Sequence, residues 1–148
     1  MNETQATIAV FAAVSLTLGL GCATPADLEP TQQWNQAAVT TLAGELVSRV
    51  ENAHATANKE TVQLDQMESI SSYLDNLRRL ERQCRHLQAE LQAGKGYPET
   101  LWIYNEIKLF YRVVQNSPSW HMIEDDLGGT EASVAAVLRQ LDGYYGER

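Results

Sequence analysis

Ile70-SSYLDNLRRLERQCRHLQAE-Leu91 decides the fold of this chain. Within it Ile70, Tyr73, Leu77, Leu80, Cys84, Leu87 and Leu91 recur at alternating steps of three and four. A helix turns once in 3.6 residues, so that spacing gathers all of them on one seam, as at the a and d positions of a heptad. Leu74 and Met67 widen the seam beyond what a two-stranded coil uses, which suits a bundle. Asp75 to Arg79 and Glu81 to Arg85 are acid-to-base pairs four apart, each supporting the helix by about 0.3 kcal/mol. The helix is predicted from Thr61 to Ala93, stopped by Gly94-Lys95-Gly96.

The same period runs outward in both directions. A first helix is expected from Gln32 to Ala57, capped by Thr31, with Val39, Leu42, Leu46 and Val50 as its stripe. A third is expected from Pro98 to Gln115. Its apolar arc holds Trp102, Ile103, Ile107, Phe110 and Val114, beside Leu109 and Val113, and a narrow polar stripe holds Asn105, Lys108, Arg112 and Gln115. So wide an arc predicts a central helix, with Trp102 and Phe110 in the core. After Asn116-Ser117-Pro118-Ser119, a short helix is expected over Trp120 to Leu127. A last one, capped by Thr130, carries Val134, Val137, Leu138, Leu141 and Tyr145. Apolar/polar alternation beside a hairpin dipeptide is absent from the sequence. The expected fold is all-α, an antiparallel four-helix bundle over residues 34–148.

Composition bounds the function. The chain has 148 residues, enough for one domain, and a net charge of −8. Nucleic-acid binding runs on clustered Lys and Arg, so an acidic chain of this kind argues against it. Four of the eight arginines, Arg78, Arg79, Arg82 and Arg85, lie opposite the seam and read as a solvated face balanced by Asp75 and Glu81.

Chemistry-bearing motifs are sparse. His54, His86 and His121 have no histidine or cysteine at i+3 or i+4, and His86–Glu90 reads as a surface pair. The zinc and di-iron helix motifs are missing. Covalent haem needs Cys-x-x-Cys-His, which the sequence lacks; non-covalent ligation by Met67 or Met122 with a histidine stays as the alternative. Cys84 at a seam position reads as a buried, inert thiol. The Glu124-Asp125-Asp126 run lacks the spaced oxygens of a calcium loop. No cofactor, no metal and no catalytic residue is expected, and the chain reads as a binding or scaffolding protein rather than an enzyme.

Before the bundle, Ile8 to Leu20 is an uncharged apolar run of thirteen residues, closed by Leu18-Gly19-Leu20-Gly21-Cys22. The run is short for a membrane-spanning helix and fits a signal h-region. An uncleaved anchor, or a buried helix, would use the same residues. Small residues closing on a cysteine resemble the lipobox of bacterial lipoproteins. The resemblance covers the first 22 of 148 residues. It departs from the family pattern in having no Lys or Arg before Ile8, and Gly19 where Leu is commonest. The resemblance implies a signal peptide over residues 1–21 and a diacylglyceryl group on the Cys22 thiol. It also implies acylation, typically by palmitate, of the new amino terminus. A lipidated Cys22 leaves Cys84 alone; otherwise the two could form one disulfide. Ala23, in place of an inner-membrane Asp signal, implies the periplasmic face of a Gram-negative outer membrane. Residues 22–33, with Pro25 and Pro30, then form a polar tether. Accessory lipoproteins of envelope assemblies, such as helical pilotins, are similar in size and layout. The partners expected are the membrane, through the lipid, and a protein of the envelope.

Aromatic residues concentrate late in the chain. Trp120, Tyr144 and Tyr145 lie in irregular or helix-end sequence, and they are the candidate partner surface, against the alternative that they cap the bundle's end. Partly exposed Trp and Tyr offer contact area with a polar handle.

Overall fold

Each seam residue from Ile70 to Leu91 turns inward, none more than 6 % exposed. The computed structural model describes residues 30–61, 68–118 and 130–146. Among these the elements are α1 (Gln36–Thr61), α2 (Glu68–Gln92), α3 (Tyr97–Gln115) and α4 (Thr130–Tyr145), with no strand. They form the expected all-α four-helix bundle. Met67, Met122, His121, the 120–127 segment and Cys22 lie outside the described residues.

The turn between α2 and α3 shows how local chemistry sets the geometry. Gly94 has φ 84°, the left-handed region that glycine enters without a Cβ penalty. Its N–H donates to the Leu91 carbonyl, and the Lys95 N–H donates to that of Glu90. Those two bonds are a Schellman ending, which satisfies carbonyls the helix cannot reach itself. Gln36 on α1 adds to it: its Nε2 donates to Leu91 O and Lys95 O at 2.9 and 3.0 Å. One side chain thus pins the start of α1 to the end of α2. Pro98 then sits in the first turn of α3, where a missing N–H costs nothing, and the Glu99 carboxylate accepts from the Gly96 N–H.

The first helix begins four residues later than its sequence suggests, and Thr31 is not its cap. Asn35 caps it, with Oδ1 accepting from the Ala38 N–H at 3.1 Å. Residues 31 and 32 cross the end of the bundle instead. The Gln32 N–H donates to Gly143 O at 2.8 Å, and the Thr31 hydroxyl reaches the same carbonyl. The last residues of the expected tether are therefore bound to α4. A Cβ on Gly143 would stand 2.8 Å from the side-chain amide of Gln32, an exposed, flexible end that can turn aside.

The core runs the length of the bundle from Val39, Ala43, Leu46 and Val50 on α1 to Val137, Leu138 and Leu141 on α4. Helix α1 packs against both α2 and α4, and α3 packs chiefly against α2. The expectation that α3 is central is corrected by this order. Its buried face is Thr100, Ile103, Tyr104, Ile107 and Val114. That is narrower than its apolar arc, so Trp102, expected in the core, is 52 % exposed. Phe110 is half-buried at the core's edge. Of the four neighbouring pairs, α3 and α4 have the fewest close backbone approaches, and side chains such as Tyr104 and Lys108 bridge that side of the bundle.

Candidate functional site

Three places gather chemistry-bearing side chains. The first is the end where the described chain begins. Trp34 sets its edge against Tyr97 and Tyr145, with ring centres 5.8 and 5.3 Å apart, and Tyr104 stacks on Tyr145 at 4.4 Å. Tyr145 and Thr100 share a hydrogen bond of 2.8 Å. The Tyr104 hydroxyl donates toward Leu138 O and Asp142 Oδ1, each at 2.9 Å, and the Lys108 ammonium donates to the same Asp142 oxygen at 2.6 Å. Aromatic rings bring large apolar area and a hydroxyl that must find a partner once buried, and these have found them.

That network corrects one member of the expected partner surface. Tyr145 is 3 % exposed, enclosed by Trp34, Tyr97 and Tyr104, and belongs to the core. Tyr144 is half-buried and packs against the core's rim. Trp120 lies outside the described residues.

Burial pushes the Tyr145 phenol up to about 12, with the Thr100 hydrogen bond pulling the other way. The folded chain therefore holds that proton more tightly than the unfolded chain does. Its contribution to stability is complete below the ordinary tyrosine value, about pH 10, and is lost as the pH rises through the folded value. Thermal melts across that alkaline window should show stability falling with pH, and Tyr145→Phe should flatten the slope. An unchanged slope would remove Tyr145 as its source.

The second place is a polar network joining α1 to α2. His54 Nδ1 and Glu81 Oε2 share a hydrogen bond of 2.7 Å, and both side chains are only 16 % exposed. The other Glu81 oxygen meets Arg85 at 2.8 Å, and Arg85 meets Glu51 of α1 at 2.7 Å. The His54–Glu81 link joins residues on different helices, which local spacing cannot reveal. The Glu81–Arg85 pair stands as expected, whereas Asp75 pairs with Arg78, three residues on. Cys84 lies beside this network with no exposed surface, and burial pushes its thiol up, with Glu81 adding to the effect. A thiol held neutral and enclosed is a poor nucleophile. Among the described residues no group of three His, Cys, Asp or Glu could hold a metal ion.

The third place is the outer face of α3. Trp102, Leu109 and Val113 are the large apolar residues most exposed among those described, at 52, 57 and 41 %. At 100° per residue, steps of seven and four bring them within an arc of about 40°. They make a single stripe about 17 Å long, at 1.5 Å per residue. Trp102 is steadied from α2 by the edge of the His86 ring, 5.5 Å between centres. Alongside the stripe, Asn105, Lys108, Leu109 and Arg112 line an open pocket of about 300 Å³. A second pocket of about 210 Å³ between α3 and α4 shares Lys108 and Arg112 with it and is also lined by Tyr111, Gln115, Ala135, Leu138, Arg139 and Asp142. The seven-and-four spacing of 102, 109 and 113 was the available signal for this face. It was obscured because the buried arc beside it is also apolar.

No helix among the described residues is long and apolar enough to cross a membrane. Comparison with protein-family models, with curated proteins and with solved structures returns no match for this chain.

Proposed function

We propose that this chain is a membrane-anchored lipoprotein whose helical bundle binds a protein partner, as an accessory of an envelope assembly rather than as an enzyme. The observation that carries the binding half is the uncovered Trp102–Leu109–Val113 stripe. A monomeric domain scatters its exposed apolar residues, whereas an aligned set beside a groove marks an interaction site. Among the described residues Cys84 is enclosed and His54 is tied to Glu81 between two helices, which favours the binding reading over the catalytic one. The anchoring half rests on the apolar run ending at Gly21-Cys22. Two acyl chains or more are what stable anchoring requires.

Mass spectrometry of protein extracted from membranes should find Cys22 as the amino terminus, carrying a diacylglyceryl group. Cys22→Ser should accumulate as full-length precursor. An intact Met1 terminus with a free Cys22 thiol would refute the anchor. For binding, a photo-crosslinking residue at Leu109 should capture a discrete protein in cells, while one at Arg82, exposed on the far side of α2, should not. Equal labelling from both positions would refute the α3 face as the site.

A further inference from the structure

By sequence, the arginines of α2 are balanced by Asp75 and Glu81; the structure undoes half of that balance. Glu81 turns inward at 16 % exposure, held by His54 and by Arg85. Arg85 is occupied by Glu81 and by Glu51 of α1. Asp75 stays outside and pairs with Arg78 rather than Arg79. Arg79 and Arg82 are exposed, and neither meets a carboxylate among the described residues. At 100° per residue, Arg78, Arg79 and Arg82 share an arc of about 100° on the outer side of α2. The Arg78 and Asp75 side chains are each more than half exposed, so their pairing is weak and open to exchange. The arc thus holds three arginines against one carboxylate, on a chain whose net charge is −8.

We propose that this face of α2 rests on the anionic phospholipid headgroups of the membrane that holds the chain. The proposal rests on the anchoring half of the function proposed above, and adds the surface that the anchored bundle turns to the bilayer. The chemistry of the face selects the occupant. Between Ser71 and Ala89 the exposed residues of α2 include no large apolar side chain. A protein interface is built round a desolvated apolar or aromatic centre, which this face lacks. A headgroup layer needs no such centre: it attracts cations by charge, and a guanidinium grips phosphate through two N–H groups. Each arginine close to an anionic surface strengthens attachment about fivefold. Two or three are too few to hold a free protein, yet enough to orient one already tethered, because the contact is then intramolecular. Geometry permits it. Helix α2 packs on α1 and α3, and α4 packs on the same two, so α2 and α4 stand at opposite corners. With neighbouring axes about 9 Å apart the diagonal is about 13 Å, and a helix radius adds about 5 Å. A bundle lying on α2 therefore holds its Gln32–Gly143 bond about 18 Å above the headgroups. Residues 23–31, fully extended, span about 30 Å, so a lipid on Cys22 reaches the bilayer.

The test uses the full-length chain, purified from membranes and reconstituted into vesicles of phosphatidylethanolamine with phosphatidylglycerol. A photo-crosslinking residue replaces Ala89, which lies along the same outer line of α2 as the arginines. Mass spectrometry should find phospholipid joined at position 89, and little from the same crosslinker at Gln140, exposed on α4. Arg79→Glu with Arg82→Glu should cut the labelling from position 89 by at least about tenfold, with an unchanged circular dichroism spectrum. Vesicles of phosphatidylcholine alone, or high salt, should lower it as well, while the chain still floats with the vesicles. Equal labelling from positions 89 and 140, no loss in the double variant, or no dependence on phosphatidylglycerol would overturn the proposal. So would capture in cells of a protein or a nucleic acid from position 89 in place of lipid. A chain that floats with the vesicles but labels no lipid from position 89 keeps its anchor and loses this face. A chain that floats with neither kind of vesicle loses both.

Discussion

Leu77→Ala should lower the unfolding free energy by about 2–5 kcal/mol, toward the upper end of that range. Leu77 is 2 % exposed and sits where all four helices meet. Val50 and Ala53 of α1, Leu80 of α2, Tyr111 and Val114 of α3, and Val134 of α4 line the same small apolar void. Truncation would enlarge that void rather than let it close, because each wall belongs to a different helix pinned by its own neighbours. The cost of such a change rises with the cavity left behind. Arg82→Ala, on the exposed side of the same helix, should change stability by no more than about 0.5 kcal/mol. Urea melts of the two variants measure the contrast directly. Similar midpoint shifts would mean that the seam does not organise the core.

Asp142→Ala should destabilise by about 2–4 kcal/mol, and Asp142→Asn by less. One carboxylate oxygen accepts from both the Tyr104 hydroxyl and the Lys108 ammonium. The Lys108 and Asp142 side chains are only 17 and 14 % exposed. Alanine leaves a largely enclosed ammonium with no counter-charge and takes one acceptor from Tyr104. Asparagine keeps an oxygen for the phenol but not the charge. Lys108→Met together with Asp142→Ala should recover part of the loss, since removing both members of a pair avoids the stranded charge. If the double variant melts as low as Asp142→Ala alone, the ion pair is not the source of the effect.

What the sequence made legible is what local spacing encodes. The α2 seam, the Gly94 stop, Pro98 in the first turn of α3 and the burial of Cys84 all follow from a 3.6-residue period and from turn chemistry. The start of α1 was misplaced because Thr31 and Asn35 are both good caps. Only the tertiary bond from Gln32 to Gly143 decides between them. Trp102 was misassigned because periodicity marks an apolar arc without saying how much of it a neighbour will cover. Tyr145 ends a helix, which leaves partner surface and bundle cap both open in the sequence; Trp34, distant in sequence, folds over it and makes it a cap. The link between His54 and Glu81, and that between Lys108 and Asp142, depend on which helices become neighbours, and no single helix records that.

The crossing of residues 31 and 32 over Gly143 also has a mechanical consequence. If the chain is tethered upstream of Pro30, any pull on the tether reaches the bundle first through the Gln32–Gly143 hydrogen bond, and only afterwards through Gln36 and its grip on the α2 terminus. The load is thus shared first with α4 at Gln32, and then meets α1 and α2 almost together at the Asn35 cap and the Gln36 side chain. A pull on such a tether would draw on three helices together, and peeling α1 away would require breaking these attachments along with its own first turn.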